Sequence, residues 1–218
     1  MSRYLKISDL PQVFPIFPLG GALLLPGAEL PLRIFEPRYL NMIDDAMAGD
    51  RVIGMIQTAG GEPARPLLVG VGCLGRITSF SETSDGCYLI TLTGVCRFRL
   101  GEELSIPTPY RQVRADFAEF AEDLAEPDRL EAGPDRERFS RALKAYLNRR
   151  DMDIEPKAAL TAPMADLTTS LSMGLPFSPM EKQALIEAIT LADRFEILTM
   201  LLEIDGPDED EDGPRSLQ

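Results

Sequence analysis

Four groupings of residues in this chain could carry chemistry. Ser178 and Lys182 stand one helical turn apart, the spacing at which a lysine amine could activate a serine hydroxyl. Gly70-Val71-Gly72-Cys73-Leu74-Gly75 is a literal GxGxxG, the loop that cradles a pyrophosphate when it closes a strand and opens a helix. Asp44-Asp45 are adjacent carboxylates, and Cys73, Cys87 and Cys96 are the only thiols. Histidine is absent from the sequence, which removes the commonest general base and the usual serine or cysteine triad.

Each grouping has a plainer reading in its local context. Arg76-Ile77-Thr78-Ser79-Phe80 continues the glycine run as strand, so those glycines are expected to bend a sheet. Ser178-Pro179-Met180-Glu181 is a capping box, which gives Ser178 a structural task at a helix start. Neighbouring carboxylates on a helix point about 100° apart and lack the ligand spacing of a calcium loop. The cysteines are odd in number and form no CxxC, as expected of reduced thiols, with Cys73 and Cys96 acting as small hydrophobes. No catalytic, metal or cofactor-binding residue is expected.

The elements that would position these residues fall into two kinds. From residue 13 to about 120 the pattern is mostly strand, with one inserted helix that starts at Pro37 and ends at Gly49. A hairpin is expected around Asp85-Gly86, with Ser84 facing Cys87 and paired numbers summing to 171. That register sorts Cys73, Ile77, Ile90, Leu92, Cys96 and Phe98 onto one face. Arg76, Thr91, Thr93, Arg97 and Arg99 fall on the other, with Phe80, Leu89 and Val95 as apolar exceptions. After about residue 134 the period becomes helical. Phe139, Ala142, Leu143, Tyr146 and Leu147 mark one buried face, and Leu191, Phe195, Leu198, Leu201 and Leu202 mark another.

The net charge of −13 is concentrated. Residues 111 to 137 carry four basic against nine acidic side chains, and 205 to 218 carry one against six, so ten of the thirteen excess negatives lie in two short segments. These read as an acidic linker at 121–134 and a disordered acidic tail at 205–218, flanking a β-rich domain (1–120) and a helical bundle (135–204). No basic stripe for nucleic acid is evident, and no run approaches the ~18 apolar residues of a membrane span. The start has no signal-peptide core, so a cytoplasmic location is expected, with neither nucleic acid nor membrane as partner.

One long motif ties these parts together. Val13-Phe14-Pro15-Ile16-Phe17-Pro18-Leu19-Gly20-Gly21 leads into Pro26-Gly27 and Leu30-Pro31-Leu32-Arg33-Ile34-Phe35-Glu36-Pro37-Arg38-Tyr39-Leu40. Val52-Ile53-Gly54, Gly94-Val95-Cys96-Arg97-Phe98-Arg99, Pro109-Tyr110 and Leu175-Pro176-Phe177-Ser178 follow in order. The set resembles the Lon protease N-terminal domain, the substrate-engaging part of that protease. The resemblance implies an α+β fold: a β-rich, PUA-like pseudobarrel with one inserted helix, followed by a C-terminal helical bundle. With no GxxxxGK[ST] loop and only 218 residues, a stand-alone form without ATPase and peptidase domains is expected.

The implied function is non-catalytic recognition of exposed or unfolded polypeptide segments, in an adaptor or chaperone-like role, with a separate protease as a further partner. Phe35, Tyr39, Met42 and Met47 are the expected peptide-binding residues, because they flank the motif and the inserted helix with aromatic and thioether side chains. Two other readings stay open: a small-molecule pocket inside the barrel, and a hydrolase using a Ser or Cys nucleophile. Neither the role of Arg97 nor the oligomeric state is legible.

Overall fold

Strand β5 (Tyr88–Glu103) is the hub of the sheet in the computed structural model, which describes residues 4–62, 65–125, 135–152 and 162–204. The other strands are β1 (Val13–Pro18), β2 (Glu29–Ile34), β3 (Val52–Glu62), β4 (Arg65–Glu82) and β6 (Gln112–Asp116). Their order is β2-β5-β4-β3-β1-β6, and β6 pairs β5 as well as β1. The ring β5-β4-β3-β1-β6 therefore closes on itself, while β2 is appended along the other stretch of β5 as an edge strand. Phe14, Phe98 and Phe117 fill the interior, with ring centroids 5.1 to 6.3 Å apart. The α+β pseudobarrel expected from the sequence is the fold observed.

The hairpin differs from its expected register by one residue. Glu82 pairs with Tyr88 and Ser81 with Leu89, so the numbers sum to 170. Ser84-Asp85-Gly86 forms a three-residue loop between Thr83 and Cys87, with Gly86 at φ 77° as the left-handed residue such loops require. Two register shifts, at Leu74/Gly75 and Ile77/Ser79, then move the pairing back and forth by one. A slip of one exchanges faces. Cys73 thus lies opposite Arg97, not on the face of Cys96, and is still buried because the helical half covers that side.

The GxGxxG residues all lie within β4, as the sheet-bending reading requires. Gly94 has a separate reason to be glycine. A Cβ there would sit 2.1 Å from the Leu25 carbonyl oxygen, where the chain crosses over β5 before entering β2.

Helix α1 (Pro37–Ala48) packs one face on the barrel, burying Tyr39, Met42, Ile43 and Ala46. The two carboxylates on its other side diverge: Asp44 accepts from the Tyr88 hydroxyl at 3.0 Å and Asp45 from the Tyr110 hydroxyl at 2.6 Å. Burial and then Asp45 push the Tyr110 phenol up to about 12. The adjacent aspartates fasten the helix to two points of the barrel and do not converge on a common ligand.

A 3-10 segment, Ala118–Leu124, occupies the first part of the stretch read from sequence as linker. It packs on β5 through Phe120, so ordered structure extends beyond residue 120; residues 126–134 lie outside the described set, as does the segment read as a disordered tail. Among the described residues four helices follow: α2 (Arg136–Arg149), α3 (Met164–Gly174), α4 (Pro179–Glu187) and α5 (Leu191–Ile204). Helix α2 buries Phe139, Ala142, Leu143, Tyr146 and Leu147, the face its periodicity marks. Helix α4 opens with the capping box: Ser178 Oγ accepts from the Glu181 N–H, and Glu181 accepts from the Ser178 N–H at 2.7 Å.

The seam between strands and helices is polar and buried. Arg97, 3% exposed, makes a bidentate pair with Asp123 at 2.8 and 2.9 Å. Its remaining N–H groups donate to the carbonyls of Ile186 and Ile189 at 3.0 Å, and to that of Ala188. Those carbonyls lie at and just beyond the end of α4, where a helix carries partial negative charge and unpaired acceptors. Arg194 adds a bond to Leu185 O at 2.9 Å, and burial, then Arg97, lowers its pKa to about 10. On the other flank Gln57 donates to Pro179 O at 3.0 Å, and Lys182 donates to Gly21 O at 2.8 Å. Arg97 is therefore a structural residue that fixes the helices on the barrel.

Candidate polypeptide-binding site

Phe35 follows directly on edge strand β2 and precedes α1, and it is 64% exposed. Ordinary burial would place a side chain of this size inside, so its exposure is informative. The register brings one more exposed apolar side chain, Leu89, opposite Arg33 two residues before Phe35. Ile34 pairs with Tyr88 and Arg33 with Leu89, which is 44% exposed; Phe80, 40% exposed, packs edge-on to Tyr88 at 4.9 Å. Of the two apolar exceptions expected on the hairpin's polar face, the observed register puts Phe80 opposite Ile90, on the face of Tyr88, and Leu89 opposite Ser81 and Arg33, on the other face. That departure from alternation was the sequence signal for them, and the site residues expected from sequence did not include them.

The remaining expected residues lie beneath this surface. Tyr39 is 7% exposed and packs edge-on to Phe17 at 4.4 Å, with the Arg38 guanidinium 4.5 Å from its ring. Burial raises its phenol pKa, against the opposing Arg38 charge. Met42 is fully buried, and Met47 is half-buried against the core. The helical period explains the split: Tyr39, Met42, Ile43 and Ala46 share the face that α1 turns to the barrel, whereas Phe35 precedes the helix. The structure thus brings Tyr39 and Met42 together in the core and leaves Phe35 outside.

Charge frames the corner. Arg33 pairs with Asp85 at 2.7 Å and reaches Cys87 Sγ at 3.5 Å. The Thr83 hydroxyl, with the Cys87 N–H and Arg33, holds the Asp85 carboxyl down to about 2. The exposed hydrocarbon of Phe35 and Leu89 therefore borders a neutralised ion pair. Edge strand β2 also contains Pro31, which lacks an N–H and suits an unpaired edge. That proline weakens β2 as a template for strand addition and favours side-chain contacts at the corner.

The groups that could act as nucleophiles are engaged otherwise. Ser178 caps α4, while Lys182 points to Gly21 O and is lowered in pKa by burial. Burial raises the Cys73 thiol strongly and pushes Cys96 up to about 12, far from the thiolate a nucleophile needs. Among the described residues no helix is long and apolar enough to cross a membrane.

A strand ring with an appended edge strand, held to a helical bundle, is also the architecture of solved Lon N-terminal domains. The Lon N-terminal domain protein from Xanthomonas campestris matches 86% of this chain and 97% of its own with a TM-score of 0.63 at 23% identity. The N-terminal domain of Mycobacterium avium complex Lon protease matches 88% and 99%, with a TM-score of 0.62 at 16% identity. In sequence, Lon protease 2 of Myxococcus xanthus is 29% identical over 208 residues, which cover 89% of this chain and 24% of that protein. Lon protease of Anaeromyxobacter dehalogenans is 28% identical, with 23% of its length covered. The chain thus spans about a quarter of these relatives' length. The family model described as the ATP-dependent protease La (LON) substrate-binding domain matches residues 13–203. The chain belongs to that family.

Proposed function

We propose that this protein recognises exposed apolar or extended segments of other polypeptides, without catalysing their cleavage, and hands them to a separate protease as an adaptor or holder. The observation that carries the reading is the corner at Phe35 and Leu89, where two large apolar side chains stay in water on a fold whose family is a substrate-binding domain. Tyr39 and Met42 hold the first half of α1 in the core, and Met47 packs against the core in its last turn. Flat apolar contact of this kind is tolerant of sequence, as a binder of unfolded chains needs.

The test is binding of a permanently unfolded, fluorescently labelled polypeptide, followed by anisotropy, to the natural chain and to a Phe35→Ser/Leu89→Ser variant. A rise in Kd of about tenfold is expected, the size of one good anchor residue, with the melting temperature held. An unchanged Kd in a folded variant overturns this site. The ligand-pocket alternative has no observation in its favour, because Phe14, Phe98 and Phe117 occupy the barrel interior.

A further inference from the structure

Helix α2 reverses the charge balance of the chain. It carries Arg136, Arg138, Arg141, Lys144 and Arg149 against the single carboxylate Glu137, in a protein of net charge −13. Its apolar face is turned to the core, so Arg141, Lys144 and Arg149 are exposed. Arg138 is neutralised by Glu196 at 3.1 Å and Glu203 at 2.8 Å, and Arg149 donates to the Leu202 carbonyl at 2.7 Å. Among the described residues neither Arg141 nor Lys144 has an ion pair.

Between α2 and the last turn of α5 runs an open groove of about 300 Å³, bordered by Arg138, Arg141, Ala145, Arg149, Leu202 and Glu203. Helix α5 ends at Ile204, beside this groove, and the sequence continues as Asp205-Gly206-Pro207-Asp208-Glu209-Asp210-Glu211-Asp212, six carboxylates in eight residues. Eight extended residues reach at most about 27 Å, whereas α2 is about 21 Å long. The segment can therefore run the length of the basic face from its point of attachment.

We infer that the acidic segment 205–212 docks along this groove, its carboxylates on Arg141 and Arg149 with Lys144 at the groove's outer edge, and masks the basic face of the helical half. The inference is independent of the polypeptide-binding corner, which lies on the strand half. Because the pairs are solvent-exposed, salt weakens the contact and uncovers a surface suited to other acidic chains.

Zero-length carbodiimide coupling of the full chain at low salt tests this. Lys144 is expected to join a carboxylate of 208–212 within one molecule. The link should be lost at ~1 M salt, where the Debye length is about 3 Å, and lost in an Arg141→Glu/Arg149→Glu variant. Lys6, exposed on the strand half, is the control. Equal coupling of Lys6 to the segment, or coupling of Lys144 only to other carboxylates, overturns the inference. So do links between light and heavy chains in an isotopic mixture, which would place a second copy in the groove. A chain with Asp208→Asn, Glu209→Gln, Asp210→Asn, Glu211→Gln and Asp212→Asn should show several-fold faster acylation of Lys144 at low salt; an unchanged rate also refutes docking.

Discussion

The seam and the corner invert the usual distribution of side chains in opposite ways. At the seam Arg97, Asp123, Arg194, Lys182 and Gln57 are buried between strands and helices. At the corner Phe35 and Leu89 stand in water. Buried charge costs several kcal/mol per ion unless it is paired, so the seam persists because each donor meets a carboxylate or a backbone carbonyl. It is directional and fixes how the helices sit on the barrel. Exposed hydrocarbon has no such direction. It costs the folded state little and is stabilised when a partner covers it. Specificity of assembly thus resides in the polar region and tolerance of partners in the apolar one.

Removing one side of the seam is the most severe way to break this contrast. Asp123→Ala leaves Arg97 buried without its anion and should cost about 3 to 5 kcal/mol in urea unfolding. Adding Arg97→Met should restore part of that loss; a double variant as unstable as the sum of the two single ones would show that the pair is not coupled. The two layers of the motif region come next. Met42→Ala should lose about 2 to 5 kcal/mol through its cavity, whereas Phe35→Ser should stay within about 0.5 kcal/mol. Equal losses would mean that Phe35 is a packing residue.

Smaller effects sharpen the same division. Ser178→Ala removes the cap that starts α4 and should cost about 1 kcal/mol, read as a lower urea midpoint at constant m-value. At the corner, the Asp85 carboxyl should titrate by carbon NMR near 2 and not at its ordinary 3.8. Its folded pKa is depressed, so its contribution to stability is present above 3.8 and fades as pH falls through about 2. Thr83→Val removes the largest cause and should move the midpoint up; a midpoint that stays put would assign the shift to the backbone N–H and Arg33 instead.

Much of the fold was legible because local rules and tertiary demands agree. Pro37 and Gly49 bound α1, Ser178 and Glu181 open α4, and the buried face of α2 matches its apolar period. The hairpin register was missed by one because a three-residue loop and a two-residue turn use the same Asp-Gly pair, and only cross-strand packing chooses between them. The candidate site was half legible. The motif pointed to the segment from Phe35 to Met47, but aromatic and thioether content does not tell which side of a helix meets the core. Leu89 gave a signal in the hairpin's alternation that gained meaning only when β2 brought Arg33 opposite it, two residues before Phe35.

By itself the sequence determined the family, the change from strand to helix and the concentration of acid in two segments, since each is written in near neighbours. The tertiary structure decided the role of Arg97, whose partners lie 26 to 92 residues away in sequence. It also decided which apolar residues remain in water. Both depend on which surfaces meet when the ring closes and the helices settle on it, and the free energy of that meeting belongs to pairs of segments, not to either one alone.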